Sequence, residues 1–254
     1  MVASNVMSMK GIFGGKDNKT ISDEHPTYVT PDGKTFAIWG FIYMLETATV
    51  LAQIFPSQSS EVLLEQHGPP ANLDVRTRLA MAFLANAFWL PLWANERFWP
   101  ALGVMLLYLM LMLSVYKDLN TASCNGALQY ILFAAGIAMN TSWIVVASLV
   151  NIIFCAGAAG WKDSQGVAGS VPVAIVAALF ICCIGCERAL CACDLPWAFV
   201  AAWALQGISR MQSIPDKARF PLGAMNSRLA SCAHWCSILV ILAMVSGVAI
   251  KLWQ

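Results

Sequence analysis

Residues 128–155 read LQYILFAAGIAMNTSWIVVASLVNIIFC, without one Asp, Glu, Lys or Arg. A bilayer core of about 30 Å is crossed by roughly 20 mostly apolar helical residues. The run exceeds that length, so it reads as one tilted membrane-crossing helix. It is not uniformly apolar. Gly136, Asn140, Trp143, Ala147 and Asn151 recur at steps of four, three, four and four, which places them on one helical face. A greasy rod with a polar, aromatic stripe is a rod that packs against other rods.

The rest of the chain agrees. Of its 254 residues, 59% are hydrophobic and only 11% charged, where an ordinary globular domain carries about a quarter charged residues. Mean hydropathy is +0.65. The 10 Trp and 12 Phe are too many for one small water-solvated core. A formal net charge of +1 excludes a nucleic-acid binder held by surplus basic charge. The composition is also the opposite of a disordered chain.

Six further stretches have the length and character of spans, roughly Phe36–Phe55, Leu79–Ala94, Trp99–Tyr116, Val171–Cys186, Pro196–Ser209 and Leu229–Ile250. The second and sixth of the seven, in chain order, are short. Breakers separate the spans: Pro56, Gly68-Pro69-Pro70, Asn125-Gly126, Gly166 to Gly169, Pro215 and Pro221. The expected fold is all-α, a seven-helix transmembrane domain over residues 36–254. It follows a polar N-terminal arm, residues 1–35, that is ordered or bound by a partner. No secretory signal peptide is expected from that arm.

Seven crossings put Lys10, Lys16, Lys19, Lys34, Arg97, Lys162, Arg210, Lys217, Arg219 and Arg228 on one side. Arg76, Arg78, Lys117, Arg188 and Lys251 fall on the other. The bias predicts an N-terminus on the cytoplasmic, matrix or stromal side, in a membrane that plastids or mitochondria could equally supply.

Other spans carry stripes of their own. Trp39, Tyr43, Glu46, Val50 and Gln53 share one face, as do Asn86, Trp89 and Trp93, and also Trp203, Gln206 and Arg210. Glu46 falls near mid-membrane, where an ionised carboxylate costs about 2.5–3.5 kcal/mol on the insertion scale. It is therefore expected to be protonated, bonded across to another helix, or turned to a polar cavity. Such stripes have two readings. One is helix-to-helix glue. The other is a pocket lined by Trp and Asn that takes a flat, largely apolar ligand with a few polar handles.

These residues resemble the TspO/translocator family of tryptophan-rich sensory proteins, in its extended multi-span branch. The lead-in to the first conserved helix is matched by Ile21-Ser22-Asp23-Glu24-His25-Pro26-Thr27-Tyr28, then Thr30-Pro31-Asp32-Gly33, then Phe36-Ala37-Ile38-Trp39-Gly40-Phe41-Ile42-Tyr43. Asn86-Ala87-Phe88-Trp89-Leu90-Pro91 is similar to the family's Asn-x-x-Trp-x-Pro. Trp143, Ala147 and Asn151 are similar to its Trp-x-x-x-Ala-x-x-x-Asn helix. Asp194, Trp197-Ala198 and Trp203-Ala204-Leu205-Gln206-Gly207-Ile208 resemble the extended branch.

The resemblance implies that tetrapyrroles, sterols or similar lipophiles bind among the helices, against Trp39, Tyr43, Asn86, Trp89, Trp143, Ala147 and Asn151. Glu46, Asn140 and Trp203 join that candidate pocket through their stripes. Two departures stand out. The family's hydrophobic helix before this segment is replaced by the polar arm, with Asn5 to Gly14 as its only remnant, which leaves a flank for a protein partner to cover. Glu46 also stands where an apolar residue is expected.

Cys182, Cys183, Cys186, Cys191 and Cys193 form a dense run, read as small buried hydrophobes, as a disulfide pair, or as metal ligands. His234, early in the last span, is a candidate axial ligand to a haem or chlorophyll; His25 and His67 are expected in loops. Lys251 lies at the very end of the last span, which excludes a mid-membrane retinal Schiff base. No phosphate loop, metalloprotease helix or nucleophile elbow occurs. The leading expectation is a non-enzymatic membrane protein that binds a lipophilic small molecule, with porphyrin, haem or chlorophyll as candidate cofactors. The alternative is an accessory subunit of a photosynthetic or respiratory complex. A secondary transporter is third, though its inverted repeats are not visible.

Overall fold

In the computed structural model, which describes residues 16, 18–55, 57–120, 124, 126–213 and 226–253, the apolar stretches fold into long helices running alternately between two ends of a bundle. The proposed helix remnant Asn5 to Gly14 and the breakers Pro56, Asn125, Pro215 and Pro221 lie outside the described residues. A short helix α1 (Asn18–Glu24) and a 3-10 turn (Gly33–Ala37) lead into α2 (Ile38–Ala52). Then come α3 (Gln58–Leu64), a two-stranded antiparallel hairpin of β1 (His67–Gly68) and β2 (Leu73–Asp74), α4 (Val75–Ala94) and α5 (Phe98–Asp118). The opening stretch forms one continuous helix, α6 (Ala127–Ala158), whose Tyr130–Ala135 turn is π-helical. The chain ends in α7 (Val171–Cys191), α8 (Leu195–Ser213) and α9 (Ser227–Trp253).

Each expected span corresponds to one long helix, but the count of self-sufficient spans changes. Gly33–Ala52, α5, α6, α7 and α9 are long and apolar enough to cross a membrane by length and composition; α4 and α8 are not among them. Among the described residues five helices meet that measure, against the seven spans expected. Helix α8 is diluted by Pro196, Gln206, Arg210 and Gln212. It packs against α6, α7 and α9, and it buries Ala198, Ala201, Ala202, Ala204 and Gly207. Small residues let helices approach closely in a bilayer, and an interior helix needs little lipid-facing bulk. In α4 the dilution comes from Arg76, Arg78, Asn86 and Pro91.

Arg78, read from sequence as a loop charge, is fully buried in α4. Its guanidinium donates to the hydroxyl of Ser114 (2.6 Å), the carbonyls of Ser114 (3.1 Å) and Gln66 (2.9 Å), and Asp118 Oδ2 (2.6 Å). A buried cation is tolerable only when paired and fully bonded. Arg78 thereby ties the β1–β2 hairpin to α4 and α5. At this same end Tyr116 donates to the buried Asp194 carboxylate at 2.5 Å, joining α5 to the start of α8.

At the other flank, α7 and α9 run parallel, with α8 antiparallel between them. Their approach is closest at Gly247, where an added methyl would collide with the carbonyl oxygen of Ala189. Gly247→Ala is therefore expected to cost ~1–3 kcal/mol of stability, read by thermal unfolding in detergent. Gly103→Ala, with open space around it, should change stability by no more than about 0.5 kcal/mol. Equal melting of the two variants would contradict this packing.

Candidate functional site

The stripe on α6 works as a ladder of contacts to its neighbours. At the Asn140 turn, the amide N–H group donates to Glu46 Oε1 on α2 and to the Tyr108 hydroxyl on α5 (2.7 Å). All three side chains are buried. One turn on, Trp143 meets Trp39 edge to face at 6.0 Å and Phe36 at 5.6 Å, while Trp39 stacks on Tyr43 at 5.0 Å. Two turns further, Asn151 accepts the indole N–H of Trp89 on α4 at 3.1 Å and donates its own amide to the Ala147 carbonyl at 2.8 Å. Trp89 in turn stacks on Trp93 at 5.3 Å. Asn86 is buried one turn before Trp89 on α4.

Trp39, Tyr43, Glu46, Asn140 and Trp143 thus form one contiguous patch, and Trp89 and Asn151 a second. Both hang from one face of α6, with the half-buried Ala147 between them. Helix α2 rests on α6, α4 rests on α5, and α5 rests on α6, but α2 and α4 are not closely packed together. The face of α6 between them is therefore covered by side chains rather than by helix backbone. Tyr108 is the member that sequence reading missed. It carries no stripe of its own on α5; its one signal is a lone hydroxyl in the middle of an apolar span.

Two expected residues lie elsewhere. Trp203, on α8, stacks on Phe199 and donates its indole N–H to the Thr35 carbonyl (2.8 Å), with the Arg210 guanidinium 5.8 Å above its ring. His234 is exposed, 3.2 Å from Gln206 Oε1 and edge-on to Trp235. It belongs to no group of three metal-ligating side chains among the described residues. The one such group is Glu24, His25 and Glu96, where Lys16 is paired with both carboxylates.

The polar arm is seated on the bundle's own helices. Asp32 takes a two-point grip from Arg210 on α8, at 3.1 and 2.9 Å, a geometry that fixes both partners. Gly207 lets Thr35 and Pro31 approach α8 where any side chain would collide. Tyr28 donates to Asp163 in the α6–α7 connection, and the Ala168 amide donates to the Pro26 carbonyl (2.8 Å). Burial opposes ionisation of Asp32, but the bonds from Arg210 and Thr35 outweigh it and hold the carboxyl below its ordinary range. At Asp163 burial is likewise outweighed by Tyr28 and the backbone N–H groups of Val167 and Gln165. Burial, then the Asp163 carboxylate, push Tyr28 up to about 12.

A family model described as TSPO-like protein matches residues 1–247. The chain belongs to the TSPO-like family. With that match and five apolar membrane-length helices, it is an integral, multi-pass membrane protein of all-α fold. No curated protein and no solved structure is significantly similar to this TSPO-like chain.

The pH dependence of the arm follows from its carboxylates. A depressed folded value contributes stability above the unfolded value, and that contribution is lost as pH falls through the folded value. The arm is thus expected to hold at neutral pH and to loosen below about pH 4. Hydroxyl-radical footprinting should show the buried Tyr28 gaining label on acidification, and Asp32→Asn should raise that label already at neutral pH. Protection of Tyr28 that is independent of both would contradict the clamp.

Proposed function

We propose that this TSPO-like protein binds a flat lipophilic molecule, a tetrapyrrole or a lipid, at the aromatic face of α6 between α2 and α4, and that it acts as a binding protein rather than a catalyst. The observation that carries the reading is the junction of Trp39, Tyr43 and Trp143 with Glu46, Asn140 and Tyr108 on three different helices. Indole faces offer stacking surface for a planar ligand, and a few polar atoms set its orientation. Glu46 Oε2 and Asn140 Oδ1 are buried and find no partner among the described residues. An N–H or O–H group on the ligand would suit them. That chemistry differs from a site built only to receive carboxylates, and Glu46 is what makes it differ.

The alternating helices place Lys16, Lys34, Arg97, Lys162, Arg210 and Arg228 at the arm end of the bundle. Under the positive-inside rule, that end belongs on the cytoplasmic, matrix or stromal side. Residues 18–35 are seated on the chain's own α8 and α6–α7 connection, and α8 packs on α6 and on the turn before α2.

The test is a titration of the purified protein with protoporphyrin, followed by quenching of Trp fluorescence. Trp143→Ala is expected to weaken binding about tenfold, equivalent to ~1.4 kcal/mol, without preventing membrane insertion. Trp253→Ala, at the exposed end of α9, should leave binding unchanged. Absence of quenching in the wild-type chain, or equal affinity in Trp143→Ala, would overturn the assignment.

A further inference from the structure

Four of the nine cysteines line up where α7 meets α9. Cys182 and Cys186 lie one turn apart on α7, and Cys232 and Cys236 one turn apart on α9. The helices are held close beside them. A methyl at Gly185 would come within 3.0 Å of the Val240 side chain and 3.1 Å of Ala201. Cys182 Sγ lies 3.5 Å from the Cys236 carbonyl oxygen. Cys186 and Cys232 stand one turn along from this pair on their own helices, so the four follow the order Cys186, Cys182, Cys236, Cys232 across the interface. All four are unbridged; Cys182 and Cys236 are buried, and the outer two are half-buried.

One buried thiol is merely a small apolar side chain. A row of four across a helix interface is a chemical arrangement. It does not suit a tetrahedral zinc site, which needs its sulfurs gathered around one point; among the described residues no three of these thiols converge in that way. It does suit pairwise chemistry. The central pair joins two helices that are already in contact, and each central sulfur has a second thiol behind it.

We propose that Cys182 and Cys236 are an oxidation site that forms a cross-helix disulfide at the expense of a hydroperoxide. The thiolate of one member of the pair attacks the hydroperoxide and breaks the O–O bond, leaving a sulfenic acid and, after protonation, an alcohol. The thiol of the other member displaces the hydroxyl as water and forms the bridge. In sum, two thiols lose two electrons and two protons, and the hydroperoxide becomes an alcohol and water.

The bridge would pin α7 to α9 around α8, which is seated between them through Ala201 and through the Ser237 hydroxyl bonded to the Ala202 carbonyl (3.0 Å). The same α8 carries Trp203 and Arg210, which grip the arm ahead of α2. Oxidation would thus tighten the support of the arm without touching the aromatic site.

The experiment uses the full chain in liposomes, treated with tert-butyl hydroperoxide, alkylated, and read by intact mass and peptide mapping. The expected product has lost two alkylatable thiols and two hydrogens, and its Cys182 and Cys236 peptides are joined until a reductant is added. Cys183→Ser, on the exposed neighbour of Cys182, should keep the bridge, and Cys182→Ser should abolish it. Retention of every alkylatable thiol, oxygen addition at separate cysteines without bridging, or a bridge between another pair would overturn the proposal. The wild-type mapping decides the matter even if a variant fails to fold.

Discussion

The bilayer core offers no water to satisfy a polar group, so each polar side chain in a span must find its partner on the protein. In this bundle that constraint converges on α6. Asn140 is bonded to Glu46 and Tyr108, Asn151 to Trp89, and the Ser142 hydroxyl to the Trp197 carbonyl at 2.9 Å on α8. Thr49 reaches from α2 to the Leu132 carbonyl in the π-helical turn at 2.6 Å, and Cys155 reaches the Phe98 carbonyl at 3.2 Å. Four helices therefore take their register from one. Lipid tails give apolar faces little reason to prefer one partner over another, whereas a buried amide must meet a polar partner on the protein.

The aromatic residues inherit their placement from that register. Trp39 meets Trp143 because Glu46 and Asn140, almost two turns further along α2 and one turn back along α6, are already joined. Trp89 meets α6 where its indole N–H finds the Asn151 carbonyl oxygen. At the arm end a second device acts. Arg210 and Trp203 on α8 hold Asp32 and Thr35, and the following turn delivers Phe36 onto Trp143. Arm, α8 and aromatic patch are mechanically one unit, which links the ligand proposal to the redox proposal without making either depend on the other.

Much of this architecture was legible in the sequence because lipid-crossing segments advertise themselves by length and composition. The α6 stripe was equally visible, since helical spacing alone puts Asn140, Trp143 and Asn151 on one face. What spacing cannot supply is the partner. Arg78 looked like a loop charge because its neutralising Asp118 and Ser114 lie on the next helix. Trp203 shares a stripe with Gln206 and Arg210, but its acceptor, the Thr35 carbonyl, lies in the 3-10 turn before α2, far away in the chain. Tyr108 gave no pattern at all. Helix α8 is short in sequence, and its small residues mark an interior position only once its neighbours are known. The cysteine run is plain in the sequence around α7, but its pairing with Cys232 and Cys236 depends on α9 lying alongside.

A double-mutant cycle between Glu46 and Asn140 tests the organising role of α6 most directly, with stability read by denaturant unfolding in mixed micelles for Glu46→Leu, Asn140→Leu and the pair. If the cross-helix bond sets the register, each single variant strands a buried polar group. The double variant should then be less damaged than the two singles together, by about 0.6–1.7 kcal/mol. Additivity within about 0.3 kcal/mol would mean that the two side chains do not act on each other, and the bundle's order would have to come from packing alone.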